Sequence, residues 1–242
     1  MLSIQEGLLR TAGGGILYDA SRLRKPGAEL FDVEHWRAQG SLQEVAGGRA
    51  SIAVINVGEQ RWVLRHFRRG GLIASLSRDR YIFLGEDRTR SFAEWRLLAE
   101  LRRRGLPVPA PVAARYVAGV LTYTADLITE HLPDCRTLAD AITGAQLPAE
   151  QWSAIGKTIA AFHREGVHHA DLNAHNILIE RAVAPRVYLL DFDRGRIEPR
   201  GGWEQDVLAR LRRSLDKIKA QRPNAAFGEA EWQLLLSASV AN

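Results

Sequence analysis

The spacing of apolar residues changes character about halfway along the chain. Leu42–Val45, Ser51–Val57 and Arg61–Phe67 are short segments rich in β-branched and aromatic residues, separated by Gly47-Gly48 and Gly58. These strand-like segments, alternating with glycine turns, predict three antiparallel strands. Val112–Val117 and Leu121–Glu130 predict a further hairpin around Gly119. Ser91–Arg104 instead follows the helical period, with Phe92, Trp95, Leu98 and Leu101 on one face. Ser91 and Glu94 have the spacing of a capping box, and Gly105 predicts the helix end.

The second half reads mostly as helix. Pro148 opens a segment with Trp152, Ile155, Ile159 and Phe162 on one face, and Gly166 closes it. Ile177–Ile179 and Val187–Leu190 predict two short buried strands with Pro185 in the turn. A basic amphipathic helix follows near Asp206–Lys219, and a last helix runs through Ala230–Leu236. Residues 1–40 read as an N-terminal extension, ending in a helix that Asp32 caps and Gly40 closes. The expected fold class is α+β. An antiparallel β-rich lobe spans 41–133, and a mostly α-helical lobe spans 134–242.

Composition narrows the functional classes. With 46% hydrophobic and 25% charged residues, the chain has the balance of a soluble globular protein. No apolar run approaches the roughly 20 residues of a membrane helix, and the first 19 residues lack a secretory signal's apolar core. The single Cys135 excludes an internal disulfide and suits a reducing cytoplasm. No Cys/His metal framework is present. The net charge of +5 comes from arginine, since lysine is confined to Lys25, Lys157, Lys217 and Lys219. Clusters at Arg65–Arg69, Arg102–Arg104 and Arg210–Arg213 suit an anionic partner, or are simply solvated faces. No nucleic-acid motif accompanies them, so no nucleic acid is expected as a partner.

The candidate chemistry lies in His169-Ala170-Asp171-Leu172-Asn173-Ala174-His175-Asn176 and in Asp191-Phe192-Asp193. The two stretches flank the predicted strand pair and can therefore converge. A carboxylate at Asp171 can accept or orient the proton of an attacking hydroxyl. The amide oxygen of Asn176 and the carboxylate of Asp191 are hard donors suited to Mg²⁺ on nucleotide phosphates.

This H-x-D-L-x-x-x-N loop, with a second aspartate after a hairpin, resembles the catalytic and metal-binding loops of the protein-kinase-like phosphotransferases. The resemblance implies ATP and Mg²⁺ as cofactors and assigns further residues. Gly47 and Gly48 would cover the phosphates. Arg65, in Trp62-Val63-Leu64-Arg65, stands where that superfamily places lysine, and can grip phosphate in a fork. Glu94 would pair with it, with Glu100 as the other candidate. Backbone groups from Glu130 to Leu132 would meet the adenine. Only 51 residues follow Asp191, with no A-P-E motif, which argues against a protein kinase and for a small-molecule kinase.

Four stretches are similar to the 3-deoxy-D-manno-octulosonic acid (Kdo) kinases: Val63–Gly71, Arg90–Leu98, Asp171–Asn176 and Asp191–Arg196. The likeness runs from about residue 30, with Asp193 replacing the usual glycine and its role left open. It implies phosphorylation of the 4-hydroxyl of Kdo on Kdo-lipid A, or on its Kdo-lipid IVA precursor, in lipopolysaccharide core assembly. It also implies a peripheral protein at the cytoplasmic face of a Gram-negative inner membrane, facing an anionic membrane surface. A lipopolysaccharide heptose kinase is the nearest rival. A non-catalytic kinase-like protein, binding anionic lipid or nucleic acid, is a reading from another class. The basic segment from Asp206 fits either a helix lying on the membrane or one packed into its lobe.

Overall fold

A computed structural model of the protein describes residues 4–45, 52–68, 79–182 and 184–240. The chain divides into two compact units, one of residues 1–103 with 109–131 and the other of 104–108 with 132–242. The fold class is α+β: an antiparallel sheet dominates the first unit and helices dominate the second.

The first unit is built on strands β1 (Glu6–Thr11), β2 (Gly14–Asp19), β3 (Leu42–Val45), β4 (Ile52–Val57), β5 (Gln60–His66), β6 (Tyr81–Ile82), β7 (Pro111–Ala118) and β8 (Thr122–Glu130). They pair antiparallel in the order β1-β2-β7-β8-β5-β4-β3, with β6 on β8. Residues 6–19, expected as part of an extension, thus belong to the sheet: β2 pairs with β7 from Gly14↔Val117 to Tyr18↔Ala113. Leu17 and Ile16 are buried there, so the segment is held by apolar contact as well as by the strand ladder. Helix α1 (Val33–Ala38) begins as expected, with Asp32 accepting from the Glu34 N–H.

Alternation gives the sheet two covered faces. Trp62 and Leu64 of β5 join Ile16, Phe31, Trp36 and Ile55 in one apolar cluster. Helix α2 (Arg90–Arg103) covers the other face, burying Phe92, Trp95, Leu98 and Leu101. The capping box does not form. The helix starts one residue before Ser91, and the Ser91 hydroxyl donates instead to the Arg115 carbonyl, 2.9 Å away.

The second unit contains β9 (Cys135–Thr137), α3 (Leu138–Gly144), α4 (Ala149–Arg164), β10 (Val167–His168), β11 (Ile177–Glu180), β12 (Val187–Leu189), β13 (Arg196–Ile197), α5 (Trp203–Gln221) and α6 (Glu229–Val240). Strand β11 pairs with β12 on one side and β9 on the other. The Leu106–Pro109 break joins this unit in part, because the Pro107 carbonyl accepts from the Leu189 N–H at 3.1 Å. Helix α5 buries Val207, Leu211, Leu215 and Ile218, so its apolar stripe packs within the unit. Helices α4 and α6 meet backbone to backbone: a Cβ on Gly156 would lie 2.2 Å from the Leu235 carbonyl oxygen.

Candidate active site

Two strand pairs hold the motif loops side by side. The loop with Asp171 runs from β10 to β11, and the loop with Asp191 from β12 to β13. Strand β10 pairs with β13, and β11 with β12, so both loops are gripped at both ends. The Leu190 N–H donates to the Asn176 carbonyl at 2.9 Å, which sets the start of the second loop against the end of the first.

His169 ties the loops together from beneath. It is 3% exposed. The Asp171 N–H donates to its Nδ1 at 3.2 Å. Nε2 must then carry the proton and donate to the Leu190 carbonyl, 2.8 Å away. Burial pushes the ring's pKa below the ordinary value, which keeps this neutral tautomer. Its ring lies 4.7 Å from that of Phe192, which stacks in turn on Phe162 of α4 at 5.7 Å. The middle residue of Asp191-Phe192-Asp193 is thus an apolar anchor between two loop aspartates.

Above this base the polar groups are set for chemistry. Asp171 is exposed, and its carbonyl accepts from the Asn173 and Asn176 amides, each at 3.0 Å. Because Asn176 Nδ2 is engaged there, its Oδ1 is the atom left to ligate a cation. Asp191 adopts φ 60, a left-handed conformation that aspartate tolerates better than most side chains. The donor set of one amide oxygen and one carboxylate fits Mg²⁺, which takes few protein ligands and completes its shell with water and phosphate. Among the described residues no group of three or more His, Cys, Asp or Glu is placed to hold a metal unaided.

Two of the sequence-predicted residues meet in the first unit. By strand alternation Arg65 points away from Leu64, toward α2. Its Nη2 lies 2.5 Å from Glu94 Oε2, and Glu94 is buried. Glu100 accepts instead from Arg103 one turn on. The Glu130 N–H donates to the Ala110 carbonyl at 2.8 Å, and the His131 N–H to the Arg61 carbonyl at 2.9 Å. The Glu130 carboxylate pairs with Arg22 at 3.2 Å. Gly47 and Gly48 lie outside the described residues.

The sequence reading missed one contact at the Asp171 carboxylate. Arg210 of α5 donates from Nη1 to Asp171 Oδ1 at 3.1 Å. One turn on, the Ser214 hydroxyl accepts from the Ala174 N–H at 3.2 Å. Arg210 belongs to a basic run that composition alone cannot separate from a solvated face.

Comparison with known proteins shows what the chain as a whole is similar to. A family model described as the lipopolysaccharide kinase (Kdo/WaaP) family matches residues 33–238. A Stenotrophomonas maltophilia protein (strain R551-3) named 3-deoxy-D-manno-octulosonic acid kinase is 45% identical over 212 residues, 86% of this chain and 83% of its own length. Proteins of the same name from Xylella fastidiosa (strain M23) and Xanthomonas campestris pv. campestris (strain B100) are 45% and 44% identical, again over 86% of this chain and 83% of their own. The solved structure described as WaaP in complex with acyl carrier protein superposes with a TM-score of 0.55 at 16% identity. It covers 84% of this chain and 81% of that one, a likeness of fold.

Proposed function

The chain belongs to the lipopolysaccharide kinase (Kdo/WaaP) family, and from that premise we propose that it transfers the γ-phosphate of ATP to the 4-hydroxyl of Kdo on a lipid A-type acceptor. The observation that carries the reading is the pair of loops, with Asp171 and Asn176 on one and Asp191 on the other, held in register by His169 and the Leu190–Asn176 backbone bond.

Each residue has a defined part. The Asp171 carboxylate accepts the hydrogen bond of the acceptor hydroxyl and takes its proton as the phosphoryl group transfers. Asn176 Oδ1 and the Asp191 carboxylate would hold Mg²⁺. When bound, Mg²⁺ neutralises developing charge on the phosphates. In the first unit Arg65 grips phosphate, and Glu94 fixes the guanidinium's direction. Gly47 and Gly48 supply the close backbone approach that phosphates need. The Leu132 N–H and the carbonyls from Glu130 to Leu132 serve the adenine, since the N–H groups of Glu130 and His131 are already bonded within the sheet.

The acceptor implies peripheral attachment at the cytoplasmic face of the inner membrane. None of the described helices is long and apolar enough to cross a membrane. The decisive experiment incubates protein, ATP and Mg²⁺ with Kdo-lipid A, Kdo-lipid IVA and heptosylated acceptors, and locates the new phosphate by mass spectrometry and NMR. Phosphate on the Kdo 4-hydroxyl, slowed by about 10²–10⁴-fold in Asp171→Asn, is the expected result. Transfer only to heptose, or undiminished turnover in a folded Asp171→Asn variant, overturns it.

A further inference from the structure

Helix α5 is anchored without Arg210. Four apolar side chains are buried along it, the Ser214 hydroxyl accepts from the Ala174 N–H, and Arg212 pairs with Asp216 and Glu229. Arg210 nevertheless reaches the carboxylate that must receive the acceptor's hydroxyl. Both side chains are largely open to water, 48% for Arg210 and 61% for Asp171. Such an exposed pair contributes little to stability and exchanges partners readily. The guanidinium also occupies Oδ1, one of the two atoms to which a hydroxyl can donate.

The same helix face continues the charge. Arg213 and Lys217 follow Arg210 at intervals of three and four residues, both exposed, and neither forms an ion pair among the described residues. At a rise of 1.5 Å per residue the three cations span roughly 10 Å along the helix. A lone basic face is usually solvated. This one begins at the reacting group.

We propose that the Arg210–Arg213–Lys217 face of α5 is the subsite for an anionic acceptor, with Arg210 exchanging Asp171 for the carboxylate of the sugar that is phosphorylated. This rests on the functional reading above. Kdo carries a carboxylate and lipid A carries phosphates, so the acceptor presents anions in series. A guanidinium binds a carboxylate bidentately, with directional preference over a neutral group. Binding the correct acceptor then removes Arg210 from Asp171 Oδ1, so that the carboxylate is released where a carboxylate-bearing sugar has arrived. Arg210 acts as a specificity-determining residue, and Arg213 and Lys217 receive the more distant phosphates.

The test compares wild type with Arg210→Gln, Arg210→Lys and the double variant Arg213→Gln/Lys217→Gln on two acceptors, Kdo-lipid A and its Kdo methyl ester. On the free acid, Arg210→Gln is expected to raise the acceptor KM by about tenfold or more, the loss of one charge-assisted contact. The KM for ATP should stay unchanged, and Arg210→Lys should recover part of the loss. The wild-type to Arg210→Gln ratio of kcat/KM should shrink by about tenfold when the carboxylate is esterified. The double variant should raise KM for both acceptors alike, since their lipid phosphates are the same. An equal loss on acid and ester, or an unchanged acceptor KM in folded Arg210→Gln and Arg210→Lys, overturns the subsite while leaving the kinase reading standing. If wild type phosphorylates neither acceptor, the kinase reading itself fails and the subsite falls with it.

Discussion

Replacing His169 with phenylalanine isolates what its two hydrogen bonds contribute. The ring contact with Phe192 and most of the volume are kept. The Asp171 N–H and the Leu190 carbonyl each lose their imidazole partner. A buried backbone group left without a partner costs ~1–3 kcal/mol. Here the lower end applies, because the Asp171 bond is long at 3.2 Å and neither Asp171 nor Leu190 is fully buried. Two such groups give a destabilisation of about 2 kcal/mol near pH 7.5. The sign of the pH dependence follows from the ring's depressed pKa. Below the unfolded value of about 6.5 the unfolded chain binds a proton that the folded ring resists, so wild type loses stability as pH falls through that region. Phenylalanine cannot titrate, so the gap between variant and wild type should narrow from pH 6.5 toward pH 5. His66, whose pKa is raised chiefly by its hydrogen bond to Asp126, acts in the opposite sense but is common to both proteins and cancels in the difference. Denaturant melts of the two proteins from pH 5 to 8 measure the gap, and steady-state kinetics report the consequence for Asp171. Turnover should fall by up to about 10²-fold as the loop loses its support. A constant or widening gap at low pH, or unchanged stability and turnover, would refute the tether.

The other expectations are simpler. Arg65→Ala should destabilise the first unit by about 2 kcal/mol, the loss of one hydrogen bond to the buried Glu94 carboxylate, while Arg65→Lys should keep more stability and more activity. Calorimetry and the KM for ATP check this. Asp191→Asn and Asn176→Ala should each raise the Mg²⁺ concentration needed for half-maximal rate, measured by titrating the metal at fixed ATP; an unchanged requirement in both would remove them from the metal site. The protein should co-sediment with anionic vesicles at low salt and be released as salt rises, each cation near the surface contributing about 1 kcal/mol. Equal binding to neutral vesicles would remove the electrostatic contribution.

What could be read in advance depended on how local the cause was. The α2 face, the β11–β12 hairpin and the Asp32 cap all follow from spacing within a few residues, and each is present. The juxtaposition of the Asp171–Asn176 and Asp191 loops was legible too, because the strand pair that joins them is a local hairpin. Residues 6–19 escaped because β1 and β2 are completed by β7, about 100 residues later, and nothing local announces that partner. The capping box failed for a similar reason, since a distant carbonyl on β7 recruits the Ser91 hydroxyl. Arg210 illustrates the same limit: its contact with Asp171 comes from the turn of α5 that carries it, which a run of arginines does not encode.

The contact of Gly156 with Leu235 also orders events during synthesis. The eight-stranded sheet lies wholly within the first 130 residues, so its pairings can close while the rest of the chain is still being made. Helix α4 emerges next, yet the face bearing Gly156 has no cover until α6, some 79 residues behind it, has been translated. Through that interval the nascent helix shows the ribosome exit and its chaperones an apolar surface. A bulkier residue at position 156 would prolong that exposure, because the closing helix could not seat its Leu235 carbonyl against the α4 backbone. Variants at this position should therefore reduce the yield of folded enzyme, with the molecules that do mature keeping the Asp171 and Asp191 loops.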